Sequence, residues 1–456
     1  MFPLPRETFP AMKFAADQTA DFADCRDRLL LATMSARREF RDKYLMRLDA
    51  RVWKALKTRR RPAASALQSG SAAAPVGFAV FAPRRSAQVP RPSSSPSCSP
   101  ILIGAGTVAG SLDDVLLGLT NATTSTMRFA ASHMHRDVLD SRVLATLQAP
   151  TEREPFEHLG LKWTAKGAPL ALRRFVRPRD FVYLESTGVR RDERGQRVGH
   201  LVLHSVELPG CRSLRTQYGV VRAGLSFSFL FSESLSAPGA VDVFFKGFVD
   251  PRGGVPERIA LAAAADAIMA CQNAPRCARM KKYAWMVREV RDLQPSHDAY
   301  RVDDGDAAPA QAEGEAVAEA AEEDGCCTVC DVGFSAFTVS LTCGICKFHT
   351  CAACVQSVVV ATAALVQETV PFCHHCVNAV GKLDAARVAR DDATHTLRAL
   401  RQRSGRGSLG GGDGVNCGER IKLQPLKKRC QSSPLAFQSR RDAPLVRHSE
   451  PRGRAA

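Results

Sequence analysis

Residues 224–232 read GLSFSFLFS, and this alternation decides how the central part of the chain folds. In an extended strand successive side chains point to opposite sides, so Phe227, Phe229 and Phe231 share one face while Ser226, Ser228 and Ser232 share the other. The same period of two runs through DFVYLESTGV at 180–189, HLVLHSVEL at 200–208 and VDVFFKGFV at 241–249. Turn-forming stretches DERGQ, PGCRS and SAPGA separate them. Between Trp163 and Asp250 the sequence therefore predicts an antiparallel meander with one face buried.

Outward from the meander the period changes to that of helices. FADCRDRLLLATMSARREFRDKYLMRLDARVWKALK, at 22–57, repeats apolar residues every three or four positions among charges, and predicts helix over 11–60. Ser111 followed by Asp114 predicts a capped start to the helix LDDVLLGL. A last, Ala-rich helix is predicted from about Pro256 to Val290, kinked or broken at Pro275. From Thr58 to Pro100 the composition collapses into Pro, Ser, Ala and Arg without periodicity, which predicts a flexible insertion at 59–100.

The chain has 456 residues, too many for one ordinary core, and 45% of them are hydrophobic. Its net charge is +17, but the Arg-rich, Gly-rich residues after Asp384 carry roughly +10 of it. Most of the basicity thus sits outside any folded unit, and the tail at 381–456 is expected to be a solvated, disordered end. Anionic membrane is the expected partner, and nucleic acid is not. The acidic stretch at 296–325, which ends in DDGDAAPAQAEGEAVAEAAEEDG, is expected to be a linker. The N-terminal residues lack the basic-then-apolar pattern of a secretory signal, and no apolar run reaches membrane-spanning length. A cytoplasmic protein is expected, and there most of the 16 cysteines would stay reduced unless a metal held them.

Eight of those cysteines fall into four C-x-x-C pairs: Cys327 and Cys330, Cys343 and Cys346, Cys351 and Cys354, Cys373 and Cys376. Two intervening residues form a knuckle that lets both sulfurs reach one tetrahedral ion, so four pairs predict two structural zinc sites. The four-residue gap between the second and third pairs is too short for them to share an ion, which favours alternation. Cys327, Cys330, Cys351 and Cys354 would hold one zinc, and Cys343, Cys346, Cys373 and Cys376 the other. Cys326, His374 and His375 read as non-ligands. A closed thiolate shell leaves no position for an activated water, and with no G-x-S-x-G and no reactive Cys–His arrangement, catalysis has no support. ILIGAGTVAGS at 101–111 mimics a dinucleotide loop, but no repeated βα units follow it, so it reads as a helix entry.

The cysteine spacing, Gly344 in C-G-I-C and Phe334 resemble the FYVE zinc finger over about 326–380, a cross-braced module that commonly reads phosphatidylinositol 3-phosphate on endosomes. The resemblance implies that Phe337 and Val339, with Ala336, lie in an apolar loop that contacts membrane. The chain departs from that family where it matters for the headgroup. No tryptophan precedes the first cysteine, TVSLTCG at 338–344 carries no cation where the family is basic, and PFC stands before the last pair. RING and PHD fingers also interleave zinc pairs, but they usually place a histidine where this chain has a cysteine.

Upstream, GLKWTAKG, VRPRDFVYLESTG, GHLVLHSVELPGC, VVRAGLSFSFLF, FFKGFVDPRG and KKYAWMVRE, in that order, resemble a START-like domain over 1–295. That resemblance implies an α+β helix-grip fold, a curved antiparallel sheet over a long C-terminal helix, holding one lipid or sterol between them. Phe227, Phe229, Phe231, Val243 and Phe245 would line the inner face, and Arg179, Glu185, His204 and Arg222 are candidates to meet a head group. The combined expectation is a non-enzymatic lipid-binding or lipid-transfer protein, peripheral on endomembranes, with the finger targeting membrane or protein. Its rival is an interaction scaffold with a ligand-free START-like domain and a protein-binding finger; a RING-like ubiquitin ligase ranks behind both.

Overall fold

The computed structural model describes residues 2–10, 12–44, 46–58, 77–85, 98–135, 137–168, 173–293, 325–334, 339–361, 367–406, 415–416 and 422–423. In chain order the helices are α1 (Ala16–Asp42), α2 (Leu112–Leu119), α3 (Thr124–Met134), α4 (Arg215–Tyr218), α5 (Glu257–Met269), α6 (Ala274–Leu293), α7 (His374–Lys382) and α8 (Ala385–Arg406). The strands begin with β1 (Met12–Lys13), β2 (Trp53–Ala55), β3 (Phe78–Pro83), β4 (Leu102–Ala109), β5 (Val138–Gln148), β6 (His158–Lys166) and β7 (Arg179–Arg191). They continue with β8 (Arg197–Glu207), β9 (Val221–Arg222), β10 (Gly224–Glu233), β11 (Ala240–Asp250), β12 (Ser340–Thr342), β13 (His349–Cys351), β14 (Val355–Ala361), β15 (Gln367–Cys373), β16 (Val415–Asn416) and β17 (Lys422–Leu423).

The main path of the large sheet runs β2-β3-β4-β11-β10-β8-β7-β6-β5, with every neighbouring pair antiparallel, so the chain is α+β. The alternation at 224–232 holds: Phe229 lies opposite Phe245 and Phe231 opposite Val243, all on the face covered by α2, α3, α5 and α6. Phe227 and Phe229 meet Phe245 at ring separations of 5.3 and 4.6 Å. Contacts of this kind add about 0.5–1.5 kcal/mol each beyond the apolar area they bury.

The expectation of one buried face is corrected. Ser226, Ser228 and Ser232 are also buried, because α1 lies across the other side of β8, β10 and β11. The sheet thus has an inner face under α2, α3, α5 and α6, and an outer face under α1. The helix predicted over 11–60 is also shorter than expected. It ends at Asp42, where a turn built on Asp49 redirects the chain: the Asp49 carboxylate accepts from Arg51 N–H and its carbonyl from Trp53 N–H. Trp53 then pairs with Pro83 across β2 and β3, and burial of the indole outweighs the helical period.

The insertion at 59–100 contains a strand. FAVFAP at 78–83 alternates buried and half-buried residues as β3, a period too short to register in a Pro- and Ser-rich composition. ILIGAGTVAGS is mostly strand β4, and its glycines make room for β3: a Cβ on Gly104 would sit 2.6 Å from the Phe78 ring, and one on Gly106 would sit 2.0 Å from the Gly77 carbonyl. The capped start predicted at Ser111 is present, with its Oγ accepting from Asp114 N–H at 3.1 Å. Strand β5 had no counterpart in the sequence reading. The break expected near Pro275 falls at a 3-10 turn over Ala270–Asn273, with Pro275 in the first turn of α6.

The disordered tail expected at 381–456 is corrected for its first part: α8 runs over Ala385–Arg406, and Ala385, Val388 and Ala389 join the inner core. The expected linker lies outside the described residues but for Gly325, as does most of the tail beyond Arg406. No described helix is long and apolar enough to cross a membrane.

Candidate functional site

The eight cysteines form two groups. Cys327, Cys330, Cys351 and Cys354 have their sulfurs within 4.8 Å of one another, and so do Cys343, Cys346, Cys373 and Cys376. First and third pairs meet, second and fourth pairs meet, in the alternating pattern that the spacing suggested. The short antiparallel pair β12–β13 and the longer pair β14–β15 bring them together.

Both leading pairs fold alike. The residue after the second cysteine, Asp331 or Lys347, takes a left-handed conformation with φ of 56° or 65°. Its N–H donates to the carbonyl of the first cysteine, at 2.8 Å to Cys327 and 3.0 Å to Cys343. This turn faces the two sulfurs to one point. Gly344 has a steric reason as well, since a Cβ there would lie 2.2 Å from Val370.

The donor set fits zinc. Four sulfurs at about 2.3 Å from a tetrahedral ion stand about 3.8 Å apart, and the separations Cys330–Cys351 and Cys346–Cys373 are both 3.8 Å. Burial alone would raise the thiols, yet backbone N–H groups of Cys351, Val329 and Cys330 pull Cys327 down to about 6. Those of Cys373, Ile345 and Cys346 pull Cys343 down to about 7. Each group thus has one thiol shifted towards the thiolate, the form a metal binds.

Cys326 bridges to Gly333 and lies outside both groups. His374 and His375 are exposed on the first turn of α7, and His349 Nδ1 is 3.0 Å from Ser340 Oγ. Of the two residues expected to contact membrane, Val339 is exposed and Phe337 lies outside the described residues. Phe348 and Val332 are exposed on the same small unit, and the sequence reading had not singled them out.

The finger is docked on the sheet domain. Tyr283 of α6 is almost fully buried and stacks on Phe372 at 5.0 Å, within a cluster that includes Cys343, Ile345, Val358, Val360 and Cys373. α6 therefore has the large sheet on one side and the finger on the other. α8 also reaches it, through Asp391, which accepts from Trp285 Nε1 at 3.1 Å.

The inner face carries a second feature. Lys162 on β6 is fully buried, pairs with the Glu185 carboxylate on β7 and donates to the Asn121 carbonyl at 2.6 Å. Tyr183 and Thr164 share a hydrogen bond at 3.0 Å on the same face, and Lys281 of α6 donates to the carbonyls of Leu117 and Thr120. Burial raises the Tyr183 pKa and lowers that of Lys281. The β6–β7 half of the inner face is thus polar, while the β10–β11 half is aromatic.

Of the four head-group candidates only Glu185 belongs to this cluster. His204 points to the outer face, with Nδ1 3.1 Å from Ser226 Oγ. Arg222 binds Asp180 and the carbonyls of Cys211 and Arg212, and Arg179 binds those of Pro251 and Arg252, so both tie loops down. Lys162 was missed, although the alternation of Leu159, Leu161, Trp163 and Ala165 along β6 puts it on the opposite face of the strand from them.

No protein-family model and no curated protein matches the chain. Among solved structures it is similar to human STARD10, with 13% identity over 57% of this chain and 85% of that one and a TM-score of 0.35. It is similar to human StAR-related lipid transfer protein 5, with 16% identity over 54% of this chain and 96% of that one and a TM-score of 0.31. A STAR-related lipid transfer protein fragment from Xanthomonas axonopodis gives 17% identity over 49% of this chain and 98% of that one, also with a TM-score of 0.31.

Proposed function

We propose that the sheet domain is a START-like helix grip that takes one lipid or sterol between its inner face and α6, and that the chain is a non-enzymatic lipid carrier or sensor. The observation that carries this reading is the two-part inner face. A charged pair removed from water loses several kcal/mol of hydration per ion, and an apolar pair would hold a fold at least as well. Lys162 and Glu185 under the same helices as Phe227, Phe229 and Phe245 make a lining that is amphipathic in the way a lipid is. The apolar body would lie against the rings and the polar end at the ion pair. Exchange would require α6 to move off the sheet.

The finger is read as a FYVE-related cross-brace with two zinc ions, one on Cys327, Cys330, Cys351 and Cys354 and the other on Cys343, Cys346, Cys373 and Cys376. Closed four-thiolate shells fix structure and do no chemistry. Phe337, Val339 and Phe348 would give the unit modest affinity for membrane or for a protein, and the basic tail would add attraction to anionic lipid. Two weak contacts on one chain reinforce each other through effective concentration. The place of action would be the cytosolic face of endomembranes.

A second reading is favoured by the direct ring packing of Phe227 and Phe229 on Phe245. There the inner face is an ordinary core, and the chain is a scaffold whose finger binds protein. Native mass spectrometry of the purified chain, followed by mass analysis of extracted ligand, separates the two. Two zincs with a stoichiometric lipid support the carrier. Two zincs without lipid, even after incubation with a cell lipid extract, support the scaffold.

A further inference from the structure

The outer face offers a different site. α1 does not lie flush on the sheet: between it and strands β10 and β11 is a crevice of about 40 Å³, bordered by Arg28 and Thr33 on the helix and by Ser226, Ser228 and Lys246 on the strands. That is room for a few water molecules or for one small polyatomic ion, and it is too little for an acyl chain. Its wall is mixed: Leu29, Ala32, Ile101 and Phe248 line it together with those polar and charged side chains. To either side, the same interface is built from apolar residues such as Leu161, Trp163 and Val202, or Leu30, Ala36, Phe40, Leu230 and Phe244.

Three observations point to an anion. First, Ser228 Oγ is buried and has no hydrogen-bond partner among the described residues, an arrangement that native interiors avoid. Second, Ser228 stands directly opposite Lys246 in the β10–β11 register, so a hydroxyl donor and a buried ammonium share one wall. Third, Arg28 stands exposed at the border, and among the described residues no acidic side chain lines the crevice. Thr33 Oγ1 already donates to the Leu29 carbonyl, and Ser226 Oγ is 3.1 Å from His204, so their hydrogen-bonding is partly used.

We propose that this crevice binds a phosphate group, with Lys246 and Arg28 supplying charge and Ser228 a hydrogen bond. Two cations and a hydroxyl suit an oxyanion with several acceptor oxygens, and an arginine at the entrance suits one that arrives from solvent or from a membrane surface. The shared chemistry is the phosphate, either free or on a lipid headgroup. The site lies across the sheet from Lys162 and Glu185, and its occupancy does not depend on whether the inner face holds a lipid.

The test uses the full chain in calorimetric titration with inorganic phosphate, and in flotation with phosphatidylcholine vesicles with and without phosphatidic acid. Lys246→Met keeps the buried stem, and Ser228→Ala and Arg28→Gln give independent variants should that one fail to fold. Binding of phosphate, or of phosphatidic acid vesicles beyond the neutral ones, that weakens about tenfold or more in Lys246→Met and by a smaller factor in Ser228→Ala supports the site. Whichever probe shows that dependence identifies the source of the phosphate. No saturable binding of either probe below about 10 mM, or binding that all three variants leave unchanged, overturns the proposal.

Discussion

The sheet domain and the finger solve the same problem, pairing antiparallel strands, by opposite means. The large sheet is covered on both faces by helices and has extensive apolar clusters on each side. The finger has two hairpins, one of three-residue strands, and a core made of a few aliphatic residues, Phe372 and the cysteines themselves. A unit that small cannot bury enough apolar surface to offset its chain entropy, so it needs cross-links or a neighbour's surface. It has both: two four-thiol sites, and Tyr283 of α6 stacked on Phe372.

The largest expected effect follows from that asymmetry. Structural zinc contributes about 10–16 kcal/mol in small fingers. A strong chelator, or Cys343→Ser, is therefore expected to unfold 326–380 while the large sheet persists. Hydrogen exchange would show protection lost across β12–β15 and at α6 around Tyr283, with β7, β8 and β10 still protected. Simultaneous loss in both regions would mean that the finger is part of one cooperative core, and the contrast would fail.

A second effect lies inside the sheet domain. Glu185→Leu leaves Lys162 buried beside the Asn121 carbonyl without its counter-ion, which is expected to cost about 3–5 kcal/mol in chemical denaturation. The double change Lys162→Met, Glu185→Leu should return most of that stability or exceed it, since apolar packing is what holds this domain. The same double variant should lose lipid on the carrier reading and behave normally on the scaffold reading. A double variant as unstable as the single one would show that the pair, rather than the apolar surface, sustains the β6–β7 half.

How much of this could be read beforehand differs between the two regions for the same physical reason. In the finger the grouping of the eight cysteines was legible, because a C-x-x-C spacing restricts where its two sulfurs can go, and alternation of the pairs followed from one short gap. The meander was legible because its strands obey a period of two. What could not be read was what covers them. Ser226, Ser228 and Ser232 look like a solvent face, and only the tertiary placement of α1 buries them. Lys162, β3 and α8 were missed likewise: burial of a lysine, pairing of six residues in a Ser/Pro-rich stretch, and docking of a charged helix are all decided by distant partners.

Tyr283 sits where the two regimes meet. Tyr283→Ala removes the ring that Phe372 stacks on, and large-to-small changes of a buried aromatic cost about 3 kcal/mol or more. With zinc bound, most of that loss should appear as undocking of the finger from α6, raising exchange along α6 and leaving zinc stoichiometry at two. Loss of zinc in this variant would show that the sheet domain's surface, and not the metal alone, keeps the finger folded.

The effect that is smallest near neutral pH is a pH dependence that the two regions share in sign and differ in origin. His200 is buried on the outer face, with Nε2 3.2 Å from Ser186 Oγ. Burial, aided by Arg190 and Arg26 and opposed by Asp27, lowers its pKa from the usual 6.5 to about 3. The unfolded chain therefore binds a proton below pH 6.5 that the folded chain refuses. The contribution is fully present above pH 6.5 and is lost as pH falls towards 3, by up to about 1.4 kcal/mol per pH unit. His158, also buried and shifted well down, acts in the same direction. A zinc-loaded finger would weaken in acid too, because protonation of its thiolates would release the metal. His200→Gln separates them: the pH slope of sheet unfolding should flatten while zinc release keeps its own acid profile. If the substitution left the slope unchanged, the acid sensitivity of the sheet domain would have to come from His158 or from the finger through α6, and the two regions would be less independent than their cores suggest.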